Sequence, residues 1–363
     1  MQKRLEDLQA NGAVESCLDV EILSVATANP KHRVSQREAL ERAKTIFPHL
    51  SRLEGLYSNA GIETRYSCEP YEWYQRPHGW EDRTRTFQRH ALALLEEVSE
   101  RAVAAAGLSF SDIAMLVVNT ITGLAIPSLD AKLLNRLPFP SHIERLPIFG
   151  LGCGGGVAGL SRAARFAQGR PGANVLFLTV DLCSLCARPN DPSMAMFVSA
   201  ALFGDGAAGV VLRSGAGAGS GGAARIRRVG EHCWRNSEHI MGWDVKEDGF
   251  GVVLSPELPG LMRTELRPAI DGFLRRHSLP LDSFRGFLLH PGGRKILETA
   301  EEALEIERDK LAHSWAVLRE YGNMSSATAL FVLQRAIDAG DRGPHLMAAF
   351  GPGFSAYFAA VDL

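Results

Sequence analysis

The sequence contains two copies of one pattern, and this repeat constrains the fold more than any other feature. The segment "LSFSDIAMLVVN" (108–119) resembles "LPLDSFRGFLLH" (279–290), and "GRPGANVLFL" (169–178) resembles "GDRGPHLMAA" (340–349). The offset, 279 − 108 in the first pair and 340 − 169 in the second, is 171 residues in both. One ungapped offset for two separate pairs predicts two copies of a βα unit that pack as pseudo-symmetric halves.

Short apolar runs bounded by Gly, Pro or Asp alternate with stretches of helical spacing. The runs are 114–120, 174–182, 207–214, 250–255, 286–291 and 346–351, and helical spacing is clear in 91–107 and 326–340. This alternation predicts an α/β protein. The low-complexity segment "SGAGAGSGGAA" (214–224) predicts a linker or surface loop, so we place the N-terminal half at 1–222 and the C-terminal half at 223–363.

Composition excludes several classes of function. The chain has 363 residues, a formal net charge of −2 and 46% apolar residues, which indicates a globular protein with no preference for nucleic acid or a membrane surface. No run reaches the ~18 apolar residues of a spanning helix, and the N-terminus is charged where a secretory signal is apolar. We therefore expect a cytoplasmic protein without stable membrane insertion.

The six cysteines show no disulfide-framework spacing, which predicts reduced thiols. Cys183 and Cys186 have CxxC spacing, but no second pair and no nearby histidine completes a zinc site. Two small buried side chains explain them better than a metal, so we predict no metal site.

Cys153 is the first candidate for chemistry. It lies in "PIFGLGCGGGVAGLSRAARFAQG" (147–169), where an apolar run meets a helical pattern. A sulfur at a helix N-terminus is stabilised as thiolate by the dipole and the free N–H groups. The flanking glycines leave room for a large acyl group. The alternative is a buried core cysteine beside a tight turn.

Two further residues are candidate partners of Cys153. His290 ends the apolar strand "GFLLH" and precedes "PGG", so it stands at a sheet edge where α/β proteins build their sites; a satisfied core histidine is the alternative. Asn323 in "GNMSSAT" reads first as a helix N-cap. However, "GNMSSAT" opens the second-copy helix where "GCGG" opens the first, so we predict that Asn323 and Cys153 lie near each other.

Five motifs, in this order and spacing, resemble the type III polyketide synthases of the chalcone synthase family. They are "GLGCGGG" (150–156), "ALFGDGAAGVVL" (201–212), "LLHPGG" (288–293), "YGNMSSAT" (321–328) and "FGPGFSA" (350–356). The resemblance implies a thiolase-like fold, with two pseudo-symmetric αβαβα halves in five layers. It also implies a catalytic triad of Cys153, His290 and Asn323.

The same resemblance assigns substrate-binding positions. Phe203 matches an aromatic gatekeeper, whereas Asp205 in "GDG" is interpreted as structural. Val252 stands where the family has a second gatekeeper phenylalanine, which predicts a wider passage. Cys186 is a cavity residue at a position where plant enzymes have threonine, and Ser325 belongs to the cavity wall. Gly351 and Pro352 belong to the loop that shapes cyclisation. Arg52 is a counterpart of the basic residues that hold CoA, and Ile126 is the tip of a loop that reaches a partner subunit.

The resemblance implies an acyltransferase that holds a growing chain on Cys153 and extends it with malonyl-CoA, without metal or redox cofactor. The starter arrives as acyl-CoA or on an acyl-carrier protein, and the family implies a homodimer. We expect a fatty-acyl starter and an alkylpyrone or alkylresorcinol product. The alternatives are a malonyl-only tetrahydroxynaphthalene synthase, a ketoacyl synthase III-like enzyme that condenses once, and a catalytically silent thiolase-fold scaffold.

Overall fold

The computed structural model describes residues 17–47, 53–215 and 221–363. Thirteen strands are found in these ranges: β1 (Val20–Ala28), β2 (His32–Ser35), β3 (Thr64–Ser67), β4 (Ile113–Thr120), β5 (Glu144–Phe149), β6 (Asn174–Leu182), β7 (Asp205–Ser214), β8 (Ala224–Cys233), β9 (Met241–Lys246), β10 (Gly249–Leu254), β11 (Gly286–Leu289), β12 (Pro344–Gly351) and β13 (Ser355–Asp362).

The same ranges contain the α-helices that surround and separate the strands. They are α1 (Gln36–Ile46), α2 (Gly55–Ser58), α3 (Tyr71–Tyr74), α4 (Trp80–Ala105), α5 (Leu129–Leu133), α6 (Gly155–Gly169), α7 (Met194–Leu202), α8 (Leu258–His277), α9 (Arg294–Leu304), α10 (Ala312–Tyr321) and α11 (Thr328–Asp338).

The main sheet repeats one strand order on each side of its centre. Its order is β5-β4-β6-β7-β1-β8-β13-β12-β11, and the central pair β1 and β8 is antiparallel. Outward from that pair, β7, β6 and β4 correspond to β13, β12 and β11. The hydrogen-bonding directions also correspond, since β4–β6 and β11–β12 are parallel whereas β6–β7 and β12–β13 are antiparallel. The two halves predicted from the repeat are therefore present, and the position of their boundary at residue 222 stays a prediction.

Helices on both sides of each half-sheet produce five layers. Side chains of α6 and α11, such as Leu160 and Leu330, pack in one core with the inward residues of both half-sheets. The outer face of the first half-sheet packs against α4, and that of the second against α8 and α9. Since both faces of β6 are covered, every residue of that strand is buried, which explains its continuous apolar run.

The predicted strands are all present to within a few residues at their ends. Helix α4 begins at Trp80, well before the predicted 91–107, and its first turn carries Glu81 and Asp82. Acidic residues are favoured by the dipole at a helix N-terminus, but they do not contribute to the apolar periodicity. No helix in the described parts of the chain combines the length and apolarity that crossing a bilayer requires.

Candidate active site

Each central helix is preceded by a 3₁₀ turn, and the two turns meet. Gly152–Gly154 precedes α6 and carries Cys153, whereas Ser325–Ala327 precedes α11 and follows Asn323. The Sγ atom of Cys153 lies 3.9 Å from Oδ1 of Asn323. The structure therefore brings together the two residues that the repeat predicted to be neighbours.

The glycines around Cys153 allow the two halves to approach closely. An added Cβ at Gly152 would lie 2.4 Å from Cδ of Pro352, and one at Gly156 would lie 2.2 Å from the backbone oxygen of Ser326. At Gly154 it would meet the ring of Tyr357. The expectation that these glycines provide room for an acyl group is therefore wrong for these three positions, because protein atoms already fill the space.

Asn323 is fixed by hydrogen bonds from both its backbone and its side chain. Its N–H donates to Leu202 O and its carbonyl accepts from Gly204 N, both at 2.9 Å. Its Oδ1 accepts from Ser325 N at 2.8 Å, which assigns the amide orientation, and Nδ2 donates to Gly292 O at 3.2 Å. One hydrogen of Nδ2 remains without an acceptor among the described residues, so it can be donated to a bound molecule.

His290 directly follows β11 and is 3% exposed. Its backbone N–H donates to Ala348 O at 2.8 Å, which continues the parallel pairing of β11 with β12. Neither ring nitrogen has a hydrogen-bond partner among the described residues. A buried polar group without a partner is costly, so both nitrogens are available to a substrate.

Burial controls the protonation of the pair. It raises the pKa of the Cys153 thiol to about 11 and lowers that of the His290 imidazole to about 3. The hydrogen bond from Ser325 partly opposes the rise at Cys153. Burial therefore favours the neutral thiol and the neutral imidazole, because desolvation disfavours both charged forms. The thiolate expected from the helix N-terminus stays a prediction.

Asp181, near the end of β6, connects the two halves beneath the site. Its carboxylate accepts from Ile121 N at 2.8 Å and from Ser326 N at 3.0 Å, and the Ser326 hydroxyl also donates to it. Burial raises the pKa of this carboxyl group, whereas these hydrogen bonds lower it. Sequence reasoning missed Asp181, although a carboxylate in the otherwise apolar run "NVLFLTVDL" was a visible signal.

The three residues of the predicted triad share one cavity of about 90 Å³, which we call the catalytic cavity. Cys153, His290 and Asn323 line it together with Ser325 and Pro352, and the roles that the resemblance implies for these residues stay predictions. The rest of the wall is mostly apolar. An apolar wall with a few polar groups at one point is typical of a small-molecule site.

A second cavity, which we call the inner chamber, adjoins the first between α1, α7 and the 3₁₀ turn Cys183–Cys186, and its volume is about 130 Å³. Its apolar lining includes Val34, Ala39, Ala43, Ile46, Phe47 and Met196.

Three residues line both cavities and define a gate: Phe203, Trp243 and Val252. Val252 and Trp243 are directly paired across the antiparallel strands β9 and β10, so their side chains lie on one face. The ring centroids of Phe203 and Trp243 are 6.4 Å apart. Trp243, which sequence reasoning did not single out, therefore lines the same gate as Val252, and the wider passage expected from Val252 stays a prediction.

The other predicted positions are distributed as follows. Cys186 lines the inner chamber rather than the catalytic cavity, and Gly351 packs against the backbone of Leu151 and lines neither. Ile126 is 96% exposed and does not reach the site of its own chain. Arg52 lies outside the described residues. No cluster of three or more His, Cys, Asp or Glu suited to a metal occurs in the part of the chain that the structure describes.

Comparisons with known proteins agree with this geometry. Family models described as "Chalcone and stilbene synthases" match the N-terminal domain at residues 13–216 and the C-terminal domain at residues 230–357. A 1,3,6,8-tetrahydroxynaphthalene synthase of Streptomyces peucetius is 38% identical over 93% of this chain and 91% of the relative. A putative chalcone synthase of Bacillus subtilis is 33% identical over 92% and 96%.

The crystal structure of 1,3,6,8-tetrahydroxynaphthalene synthase from Streptomyces coelicolor, a bacterial type III polyketide synthase, matches with a TM-score of 0.89 and 32% identity, covering 94% of this chain and 99% of that one. The chain belongs to the chalcone and stilbene synthase family. Within that family it is a type III polyketide synthase, an acyltransferase with the thiolase-like fold.

Proposed function

We propose that this enzyme loads a fatty-acyl starter on Cys153, extends it by decarboxylative condensation with malonyl-CoA, and closes the product to an alkylpyrone or alkylresorcinol. The observation that supports the fatty-acyl starter is the inner chamber. It is larger than the catalytic cavity, its wall is mainly aliphatic and aromatic, and it opens to the catalytic cavity at the gate. Burial of an aliphatic chain there contributes about 0.8 kcal/mol per CH₂ group.

In this proposal the neutral pair is activated when the thioester arrives. The Cys153 thiol transfers its proton to a nitrogen of His290 as sulfur attacks the acyl carbonyl. The C–S bond to the carrier then breaks, and His290 returns the proton to the departing sulfur, which leaves as a free thiol. After loading, His290 and the free Nδ2 hydrogen of Asn323 hold the thioester oxygen of malonyl-CoA. That oxygen becomes an enolate as CO₂ leaves, so donors already in place stabilise the developing charge. The mechanism needs coenzyme A thioesters and no metal or redox cofactor.

A malonyl-only reaction is the second candidate. It is favoured by the 38% identity to a relative named as a tetrahydroxynaphthalene synthase, and by Trp243, which narrows the gate to the inner chamber. A short starter would then remain in the catalytic cavity.

Mass spectrometry of products formed from malonyl-CoA alone, and with decanoyl- or palmitoyl-CoA added, separates the two candidates. We expect alkyl-substituted products only when acyl-CoA is present. Trp243→Ala should increase the use of palmitoyl-CoA about tenfold relative to decanoyl-CoA because it widens the gate. Val245→Ala, on the exposed end of the same strand, is the control. An aromatic product from malonyl-CoA alone, unaffected by acyl-CoA, would reject the fatty-acyl starter.

We also propose that the chain is a homodimer. Leu124 and Phe149 are 42% and 50% exposed, and the fully exposed Ile126 lies near Leu124 in sequence, so large apolar side chains face solvent. A second copy would cover them, and Ile126 would then reach the partner's site. A molar mass about twice that of the 39.4 kDa chain in light scattering is the expected result, and a monomer would contradict it.

A further inference from the structure

A chain of hydrogen bonds leads from the wall of the inner chamber to a buried carboxylate. Tyr74 Oη and Ser184 Oγ are 2.7 Å apart, and Ser184 Oγ donates to Oδ2 of Asp205 at 2.6 Å. Asp205 is 0% exposed and also accepts from the backbone N–H groups of Cys68 and Ser184, both at 2.8 Å. Tyr74 and Ser184 line the inner chamber, whereas Asp205 lies behind them.

The direction of these bonds follows from their ends. An ionised carboxylate only accepts, so the single hydrogen of Ser184 is donated to Asp205, and Tyr74 must donate to Ser184. The Tyr74 oxygen also accepts from Glu69 N at 3.2 Å, and Cys68 Sγ lies 3.8 Å from it and 3.7 Å from Ser184 Oγ. The thiol hydrogen of Cys68 is directed to Asp205, whose pKa this hydrogen bond lowers. With its hydrogen committed to Ser184, the phenolic oxygen has one lone pair left and can act toward the chamber only as an acceptor.

Carbon–carbon cyclisation of an extended chain requires such an acceptor. A methylene between two carbonyl groups must lose a proton before its carbon attacks another carbonyl of the same chain. Burial raises the pKa of Tyr74 well above its usual value, so a free phenolate is disfavoured. A proton accepted by Tyr74 must therefore move on to Asp205 in the same step, and the hydrogen bonds provide that route.

We propose that Tyr74 is the proton acceptor for carbon–carbon cyclisation in the inner chamber, with Ser184 and Asp205 as the residues that position it and take up the charge. This inference rests on the proposed function, since the extended chain must pass the gate. The methylene gives its proton to the Tyr74 oxygen, Tyr74 gives its own to Ser184, and Ser184 gives its own to Asp205. The electron pair of the broken C–H bond forms the new C–C bond. The carbonyl oxygen that is attacked takes a proton back as the relay reverses, so no co-reactant is needed.

The relay also predicts a dependence on pH. Burial raises the pKa of Asp205 to about 6. The titratable groups that interact with it are Cys68, Tyr74, Cys183 and Cys186, and burial raises the pKa of each of them further above neutrality. Asp205 is therefore the group in this chain of hydrogen bonds whose pKa lies near 6. Below that pH the protonated carboxyl donates, the bonds reverse, and Tyr74 no longer accepts.

Product ratios test the proposal. Wild type and variants are incubated with decanoyl-CoA and malonyl-CoA, and mass spectrometry measures the carbocyclic product relative to the lactone of the same chain length, per CO₂ released. A lactone closes through an oxygen nucleophile and does not need the relay. Tyr74→Phe and Ser184→Ala should each lower the carbocycle-to-lactone ratio at least about tenfold. Ser184→Thr, which keeps the hydroxyl, should restore it, and the wild-type ratio should fall as pH decreases through about 6.

Matched controls separate this role from packing. Tyr57→Phe removes a buried phenol that has no hydrogen-bond partner among the described residues, and Ser161→Ala removes a buried hydroxyl that donates within its own helix. Both should leave the ratio unchanged. An unchanged ratio in both Tyr74→Phe and Ser184→Ala overturns the proposal, as does a wild type that extends chains but forms only lactones. A wild type that releases no CO₂ and extends no chain overturns the proposed function itself.

Discussion

The turns at Gly152–Gly154 and Ser325–Ala327 stand at equivalent places in the two halves, yet different interactions hold them. The first is held by close backbone packing, since Gly152 and Gly156 leave no space for a side chain against the second half. The second is held by side-chain hydrogen bonds, in which Asn323 accepts from Ser325 and Asp181 accepts from Ser326. Substrate must approach the proposed nucleophile Cys153 closely, whereas the side-chain amide of Asn323 must be held in one orientation. Equivalent turns of the two halves serve these two different purposes.

Substitutions in the two turns should separate the two half-reactions. Cys153→Ala should abolish acyl loading, because Cys153 is the one thiol among the described residues that lines the catalytic cavity with His290 and Asn323. Asn323→Ala should reduce malonyl-CoA decarboxylation about 10²–10³-fold, because the fixed donor is lost, and should affect loading less. Intact-protein mass spectrometry measures loading, and CO₂ release measures decarboxylation.

The control for these variants is Cys233→Ala, which removes an exposed thiol. If Asn323→Ala reduces loading and decarboxylation by the same factor, the amide serves both steps and the division between the turns is wrong. Normal polyketide formation by Cys153→Ala would reject the nucleophile.

The pH dependence of Cys153 alkylation tests the neutral pair. Because burial raises the pKa of this thiol to about 11, the rate of iodoacetamide labelling should increase about tenfold per pH unit from pH 6 to 9 without a plateau. A Cys17→Ser, Cys233→Ser background removes the two exposed thiols, and peptide mapping quantifies the label. A plateau below pH 8 would show a thiolate–imidazolium pair and contradict the dominance of burial.

A methyl group added at the contact between the turns should have the smallest effect, and it acts on stability. Gly156→Ala places a Cβ against the backbone oxygen of Ser326, so about 1–3 kcal/mol of the free energy of unfolding should be lost in urea denaturation. Gly169→Ala, at the other end of the same helix, meets no atom within 4 Å and is the control. An equal free energy of unfolding for the two variants would contradict a close contact between Gly156 and Ser326.

The repeat and the motifs were sufficient to predict the two halves, the layers and the proximity of Cys153 to Asn323. Segments separated by the repeat offset occupy equivalent positions in the two halves, so the two turns could be matched from the sequence. The purpose of the glycines was misjudged because their neighbours, Pro352, Tyr357 and Ser326, come from the other half. Trp243 was missed since its importance depends on the register of a hairpin that pairs it with Val252. The glycine contacts and the pairing of Trp243 with Val252 depend on how separate segments pack. The residue pattern within a single segment does not predict such contacts.

The central pair of strands has a consequence for how the chain is made. Strand β1 begins at Val20, and its partners there are Ser214 on β7 and Ile226 on β8. During synthesis the strand therefore emerges from the ribosome long before either of its neighbours exists, and pairings of such sequence separation form slowly. The strands of the first half-sheet are complete once β7 has been made, before β8 exists. The β1 edge of the first half-sheet stays open until β8 follows, and an unpaired strand edge is a template for aggregation.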